Sequence, residues 1–579
     1  MHLSLPSLPE NYYTMNGTSL WPVAIALVVS LFLVVSCAQT VDSEGTDFDQ
    51  LYYVTALQDA PCPMESCLTL SEFAANISYY LWENTTLIFQ QKNHTLNSHL
   101  LVTNVNRLSL IGEERSTTIV CSENFIIFEN VSEVYLNGLT LVRCAGNHIK
   151  SVGQIILYNC TFDGQGINGT ALTIADTTAN ITGCWFLQTQ GSYHGSVGYF
   201  QYNDRVIVGG AIISTHSTIT IHGSTFERNV AEIGGAIFIE QESDLIVSNS
   251  KFNQNQIMWN DIHSSYTTGS AIYADSGCID VKNSTFENTT DSFNKPSGIV
   301  GSYKSSVLIQ GCTYHNNTGC YGILSFGSNI TLKETVFESN NMTCGVYAAS
   351  IFDLSSEILN IFNCNFSNNN IEHGIIESIF HKLVIQDSSF VDNQAYSKCH
   401  MRTADVFGVS AGVVSVGSNV TIVRSMFVRN QAYLGSEAIS LRESNATISS
   451  SSFVNNSHEA IGPGVIGVSS GVIHIDKCEF TGNRAQYGTV LYALNSLATI
   501  SETLITTNIA ETTGILLLYD GTLVSSETSV INNTATLAVI TLTSCVATFV
   551  GNTTLTNNCL LYTSPSPRDA TLSRMPSSA

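Results

Sequence analysis

Residues 234–256 read GGAIFIEQESDLIVSNSKFNQNQ, and most of the chain is a set of variations on them. The stretch closes on an aromatic residue followed three places later by asparagine, Phe252 and Asn255, as the preceding unit STITIHGSTFERN also does. The aromatic recurs at Phe226, Phe252, Phe286, Tyr314, Phe337, Phe366, Phe390, Phe427, Phe453 and Phe480, then weakens to Ile505, Val530 and Leu555. The spacing is mostly about 23 to 29 residues, the range in which internal repeats signal a stacked solenoid.

Around the aromatic the residue types keep fixed places. Five and seven residues earlier stand apolar pairs such as Val247 with Leu245, Ile385 with Leu383 and Ile475 with Ile473, and the residue between each pair varies. Apolar residues two apart describe a strand with one buried face. Two before the aromatic the residue is always small, as at Ser250, Cys364 and Ser451. That small residue and the aromatic form a second inward pair at an odd step from the first, so the chain must bend between them. Upstream, GGAI at Gly209–Ile212 and Gly234–Ile237, with Gly269-Ser270-Ala271-Ile272, adds a third short strand after a glycine turn. Three strands per repeat with no helical period make one coil of a parallel β-helix, each coil bonded to the next at about 4.8 Å.

The fold expected is therefore all-β: a single-stranded parallel β-helix of about 17–18 coils. Asn229, Asn255, Asn317, Asn340, Asn369, Asn393, Asn430, Asn456 and Asn483, continued by Asn508, Asn533 and Asn558, would occupy one corner. There asparagine is expected to take the left-handed turn conformation and to stack its amides along the axis. The pairing of GGAI with Phe-x-x-Asn resembles the repeats of the chlamydial polymorphic outer-membrane proteins. More broadly it is similar to the right-handed β-helix, pectin-lyase-like superfamily, including β-helix proteins of sponges and other simple animals. The resemblance covers roughly residues 100–558, including LSLIGEERSTTI at Leu108–Ile119, and it implies architecture more than activity.

Four segments follow from this reading. Residues 1–38 hold the apolar run WPVAIALVVSLFLVV and Ser36-Cys37-Ala38, the pattern of a signal peptide cleaved after Ala38, or of a signal anchor if uncleaved. Residues 39–99 would cap the array, with a short helix from the capping box Thr69-Leu70-Ser71-Glu72 through about Leu81. Residues 100–559 are the repeat domain. The tail 560–579, within LLYTSPSPRDATLSRMPSSA, carries three prolines and no repeat columns; it resembles a translated library adaptor and is set aside, with the natural chain expected to continue further.

Charged residues make up 12% of the chain, yet the net charge is −24. So few cations argue against nucleic acid as a partner and against contact with anionic lipid, leaving membrane association only through an anchor. Sequons of the form Asn-x-Ser/Thr stand at Asn76, Asn84, Asn93, Asn130, Asn159, Asn168, Asn180, Asn283, Asn288, Asn316, Asn329, Asn341, Asn365, Asn419, Asn445, Asn455, Asn532 and Asn552. With the leader they point to a secreted or cell-surface glycoprotein. Cys62 and Cys67 flank the entry to the expected helix and are candidates for a disulfide across a short loop, as are Cys160 and Cys184 on neighbouring coils.

Catalytic patterns are weak. In the outward column four residues before the aromatic, no two successive coils carry carboxylates, and no Cys/His cluster has metal-ligand spacing, so neither catalytic residues nor a cofactor are assigned. Gly164-x-Gly166-x-x-Gly169 formally matches a dinucleotide loop without the helix such a loop requires. The clearer lead is a set of overlong coils: 191–205, 257–269 and 395–408. They carry Tyr193, His194, Tyr199, Tyr202, Trp259, His263, Tyr266, Tyr396, His400 and Arg402, a mixture suited to protein or sugar contacts. The expectation is a non-catalytic protein of adhesion, recognition or matrix structure, with a cell-surface or matrix protein or glycan as partner. The alternative is a polysaccharide lyase or glycoside hydrolase.

Overall fold

The computed structural model describes residues 34–37, 49–55, 67–69, 84–89, 93–96 and, from 99 to 560, all but 113–116, 122–124, 145, 195–205, 259–267, 291–296, 350–356, 397–408 and 459–461. These residues form an all-β parallel solenoid of three long sheets. The first sheet stacks Thr218–His222, Asp244–Ser248 and Cys278–Lys282, with Ile219, Leu245 and Ile279 in register and Ile221, Val247 and Val281 beside them. The second stacks Thr225–Glu227, Lys251–Asn253 and Thr285–Glu287, which puts Phe226, Phe252 and Phe286 in one column. The third stacks Ile212–Thr215, Ile237–Glu240 and Gly269–Asp275 through Ile212, Ile237 and Ile272. The second sheet alone has eighteen such strands.

The alternation read from the sequence is the cause of this arrangement. In a strand, residues two apart share a face, so the paired aliphatics enter the interior together while their neighbours face out. The aromatic column is a continuous stack from Phe162 to Phe480, neighbouring rings 4.3–5.0 Å apart and tilted by no more than 17°. Each ring in the stack is almost wholly removed from water.

The corner geometry corrects one expectation. The asparagines at the corner are not themselves left-handed; the residue immediately before each of them is. Arg228, Gln254, Asn316, Arg429 and Asn455 have φ of 51–55° and precede Asn229, Asn255, Asn317, Asn430 and Asn456. A left-handed residue reverses the in-out phase of the chain, so the next side chain points inward instead of out. The same device turns the other two corners, at Asn249 and Asn283 between the first and second sheets and at His216 and Ser276 between the third and first.

The two disulfide expectations fare differently. Cys62 lies outside the described residues, so its pairing with Cys67 does too. Cys160 and Cys184 are buried but not bridged, and the Cys160 N–H donates to the Cys184 sulfur at 3.4 Å. Each thiol donates to the carbonyl two residues back, Tyr158 or Thr182, at 3.4 Å, as Ser224 does to His222 at 3.1 Å. Residues in register carry parallel side chains, and here both thiols turn to carbonyls of their own coil instead of to each other. The bridge that forms joins Cys121 and Cys144, with Cα atoms 4.8 Å apart. In the ladder Cys144 sits one place past the residue facing Cys121, so these two side chains converge rather than run parallel.

Near the N-terminus, Val34–Cys37 runs antiparallel to Asp49–Thr55, which in turn pairs in parallel with Asn84–Phe89. Thr69, expected as a helix cap, ends the strand Cys67–Thr69. The helix body, most of 1–38 and the tail 561–579 lie outside the described residues.

Candidate functional site

A solenoid coil normally buries one face of each strand and leaves the other to water. The first sheet follows this rule: its outward residues are mostly polar and partly exposed, and on the adjoining turn Arg424 grips Asp387 through two hydrogen bonds of 2.7 and 2.9 Å. The third sheet breaks it. Its outward Ile213, Phe238 and Tyr273 are buried, joining Val208, Ile233 and Tyr303 in a second apolar cluster separate from the interior. Phe238 and Tyr273 lie parallel on consecutive coils, with centroids 6.0 Å apart.

Two of the overlong coils leave the rod beside this cluster, and the third leaves it farther along. All three open after the short strand that follows the corner and rejoin just before the third sheet: between Gly191 and Val206, between Ile257 and Thr268, and between Ala395 and Val409. Close packing at this junction explains the glycines there, since a Cβ on Gly210 would run into the Gly235 carbonyl.

Carboxylates line the same side. Glu240 and Asp275 are register partners on consecutive third-sheet strands, only 1% and 5% exposed, and both point outward. Neighbouring strands place their Cα atoms about 4.8 Å apart. The Ser276 hydroxyl donates to Asp275 Oδ1 at 2.9 Å, and Lys304 Nζ stands 5.0 Å above the Tyr303 ring on the next coil. Glu232 Oε2 accepts the Ile207 N–H at 3.2 Å. Farther along, Glu377 sits in register between Tyr347 and Val414, and burial pushes its carboxyl up to about 7.

The residues singled out from the sequence divide as follows. Tyr193 and His194 belong to the strand Ser192–His194, antiparallel to Val206–Val208 at the mouth of the first insertion. Tyr199, Tyr202, Trp259, His263, Tyr266, His400 and Arg402 lie outside the described residues. Tyr396 is half-buried, and its hydroxyl donates to Asn341 Oδ1 at 2.7 Å, tethering the root of the third insertion to a strand two coils away. The Glu240–Asp275 pair was missed because only one outward column was read. Aligning GGAI with Gly269-Ser-Ala-Ile272 would have put both acids in one place, three residues after the isoleucine.

Comparison with known proteins follows the architecture. A protein from Dictyostelium discoideum, metabotropic glutamate receptor-like protein R, is 23% identical over 420 residues, 71% of this chain. The chain spans only 23% of that relative's length. Among solved structures, a mannuronic acid-specific polysaccharide family 6 lyase from human gut microbiota matches 70% of this chain and 81% of its own, at 8% identity and TM-score 0.23. The Streptococcus pneumoniae surface protein and adhesin PfbA matches 79% of this chain and 92% of its own, at 13% identity and TM-score 0.17. Residues 209–427 match the family described as "Right handed beta helix region". Three parallel sheets run through that segment, with register shifts between Gly269 and Ile272 and between Met342 and Cys344, and the segment is a right-handed β-helix region within the parallel solenoid.

Proposed function

We propose that this protein is a secreted or surface-displayed β-helix scaffold that recognises a cell-surface or matrix protein or glycan without chemically altering it. One observation supports the reading: all three overlong coils leave and rejoin the rod at the same junction between the corner and the third sheet, and the first two do so at coils whose outward third-sheet residues form a buried apolar cluster. A rigid base that carries adaptable loops is the usual division of labour in recognition proteins. The test is a binding screen on cell surfaces and glycan arrays with the full chain, repeated with Tyr199→Ala and Trp259→Ala. Tyr396 is left out because its hydroxyl already serves the scaffold. Loss of binding in the variants supports the reading; unchanged binding sinks it.

A second reading rests on Glu240 and Asp275. Two carboxyl groups on adjacent coils beside tyrosines are a starting point for acid–base work on a glycan. Glycan cleavage by the native chain that disappears in Glu240→Gln and in Asp275→Asn would favour a lyase or hydrolase over the scaffold.

A further inference from the structure

Among the described residues the coil phases the sequons outward. Seventeen of the sequons named above lie in described residues, and in all seventeen the asparagine is partly or fully exposed. Twelve other asparagines are buried, Asn147 and eleven of the corner ladder, and none of these begins a sequon. The separation has a mechanical origin. Two residues after a ladder asparagine the chain packs inward again, as at Ala231, Ala432 and Ala485, so serine or threonine is kept from that place. Asn316, Asn455 and Asn532 sit one step earlier, on the left-handed residue, and there the second following residue is the outward Thr318, Ser457 or Thr534. On the first sheet the strand period does the same work: Asn419 and Asn445 are exposed register partners, and Thr421 and Thr447 share their face.

The sequons are also unevenly placed around the rod. They fall on the first sheet, at the start of second-sheet strands, at the turns and, at Asn341, at the start of a third-sheet strand; none falls on the four-residue third-sheet segments in register with Ile212–Thr215. We infer that N-linked oligosaccharides are carried on the first sheet and the turns, with Asn419, Asn445, Asn455 and Asn532 as sites, and that the outer face of the third sheet is left bare. This rests on the extracellular reading above, because the modification occurs only in the secretory pathway. A bare third-sheet face would keep sugar bulk off that side of the rod, where the apolar cluster lies.

The experiment expresses the full chain in a eukaryotic secretory host twice, with its own N-terminus and behind a heterologous leader. Secreted protein is treated with peptide N-glycosidase in heavy-oxygen water, and the labelled aspartates are mapped by mass spectrometry. Label at Asn419, Asn445, Asn455 and Asn532, with a mass shift abolished by the enzyme, is the expected result. Secreted, protease-resistant protein unlabelled at those four positions overturns the assignment while leaving the extracellular reading intact. Labelled protein obtained only behind the foreign leader overturns the extracellular reading and leaves the sites standing.

Discussion

Asn430 and Asn456 lie 26 residues apart in sequence yet form one link of a hydrogen-bonded ladder: the Asn430 Nδ2 donates to Asn456 Oδ1 at 3.1 Å, and the Asn430 backbone N–H donates to the same oxygen at 3.0 Å. Its second amide hydrogen goes to the Phe390 carbonyl at 2.9 Å, and its own Oδ1 receives both donors of Asn393, at 3.1 and 3.2 Å. Each amide thus satisfies the corner above it, the corner below it and the closing carbonyl of the aromatic strand. The pattern continues through Asn483, Asn508 and Asn533.

Asn430→Ala should therefore cost more than a typical single hydrogen bond. It takes the amide donor from the Phe390 carbonyl and the acceptor from both the Asn393 N–H and the Asn393 Nδ2 in a dry corner, and each stranded group costs roughly 1–3 kcal/mol. An overall loss of about 3 kcal/mol or more is expected in urea unfolding, with new protease sensitivity near residue 430. Asn430→Asp should be no better, because it removes the donor and adds a buried charge. A loss below about 1 kcal/mol in both variants would mean the ladder is ornamental.

Glu437 sets a pH dependence. It occupies a third-sheet column where neighbouring coils carry Ala411 and Gly464, it is fully buried, and neither carboxyl oxygen has a hydrogen-bond partner. Burial holds its carboxyl well above the usual carboxylate range. The folded state then keeps a proton that the unfolded chain releases near pH 4.5, so stability is full in acid and falls as pH rises above that value, by about 1.4 kcal/mol per pH unit. Glu437→Gln should flatten this slope and unfold at higher denaturant than the native protein at pH 7. Equal pH profiles for the two proteins would refute the assignment.

Asp387 shows the opposite shift at the surface. The two hydrogen bonds from Arg424 hold its carboxyl down, to about 2, with a smaller contribution from the Gln386 amide. Arg424→Met should return Asp387 towards the ordinary carboxylate range, which carboxyl-detected NMR would report directly. Both partners are open to water, so the unfolding midpoint should barely move. An unshifted Asp387 in the native protein would show that the pair does not persist in solution.

The sequence made the interior legible because a stacked coil repeats its burial pattern each time round. Phe252, Val247 and Leu245 could be assigned an inward face with no structure in hand, and the ring stack and first-sheet register agree with that assignment. The corner was read one residue out of phase: asparagine is abundant on both sides of it, and only backbone geometry distinguishes left-handed Asn455 from ladder-forming Asn456. Cys160 and Cys184 misled because sharing a column looks like proximity, whereas parallel side chains keep their distance. The Glu240–Asp275 pair was readable in principle and went unread, since its column belongs to the third strand. Tyr396 was a fair candidate for a ligand contact, and nothing in the sequence announces a partner 55 residues away.

Because every coil meets its neighbours through the same columns, the natural unit of change in this rod is a whole turn. Excising residues 431–456 would set Ser457 directly after Asn430, returning Asn483 to the place above Asn430 that Asn456 held. The molecule would shorten by one notch, and the faces above and below would be unchanged. Reach can thus be lengthened or trimmed in fixed increments, like the teeth of a rack, while the insertions elsewhere on the rod are left alone.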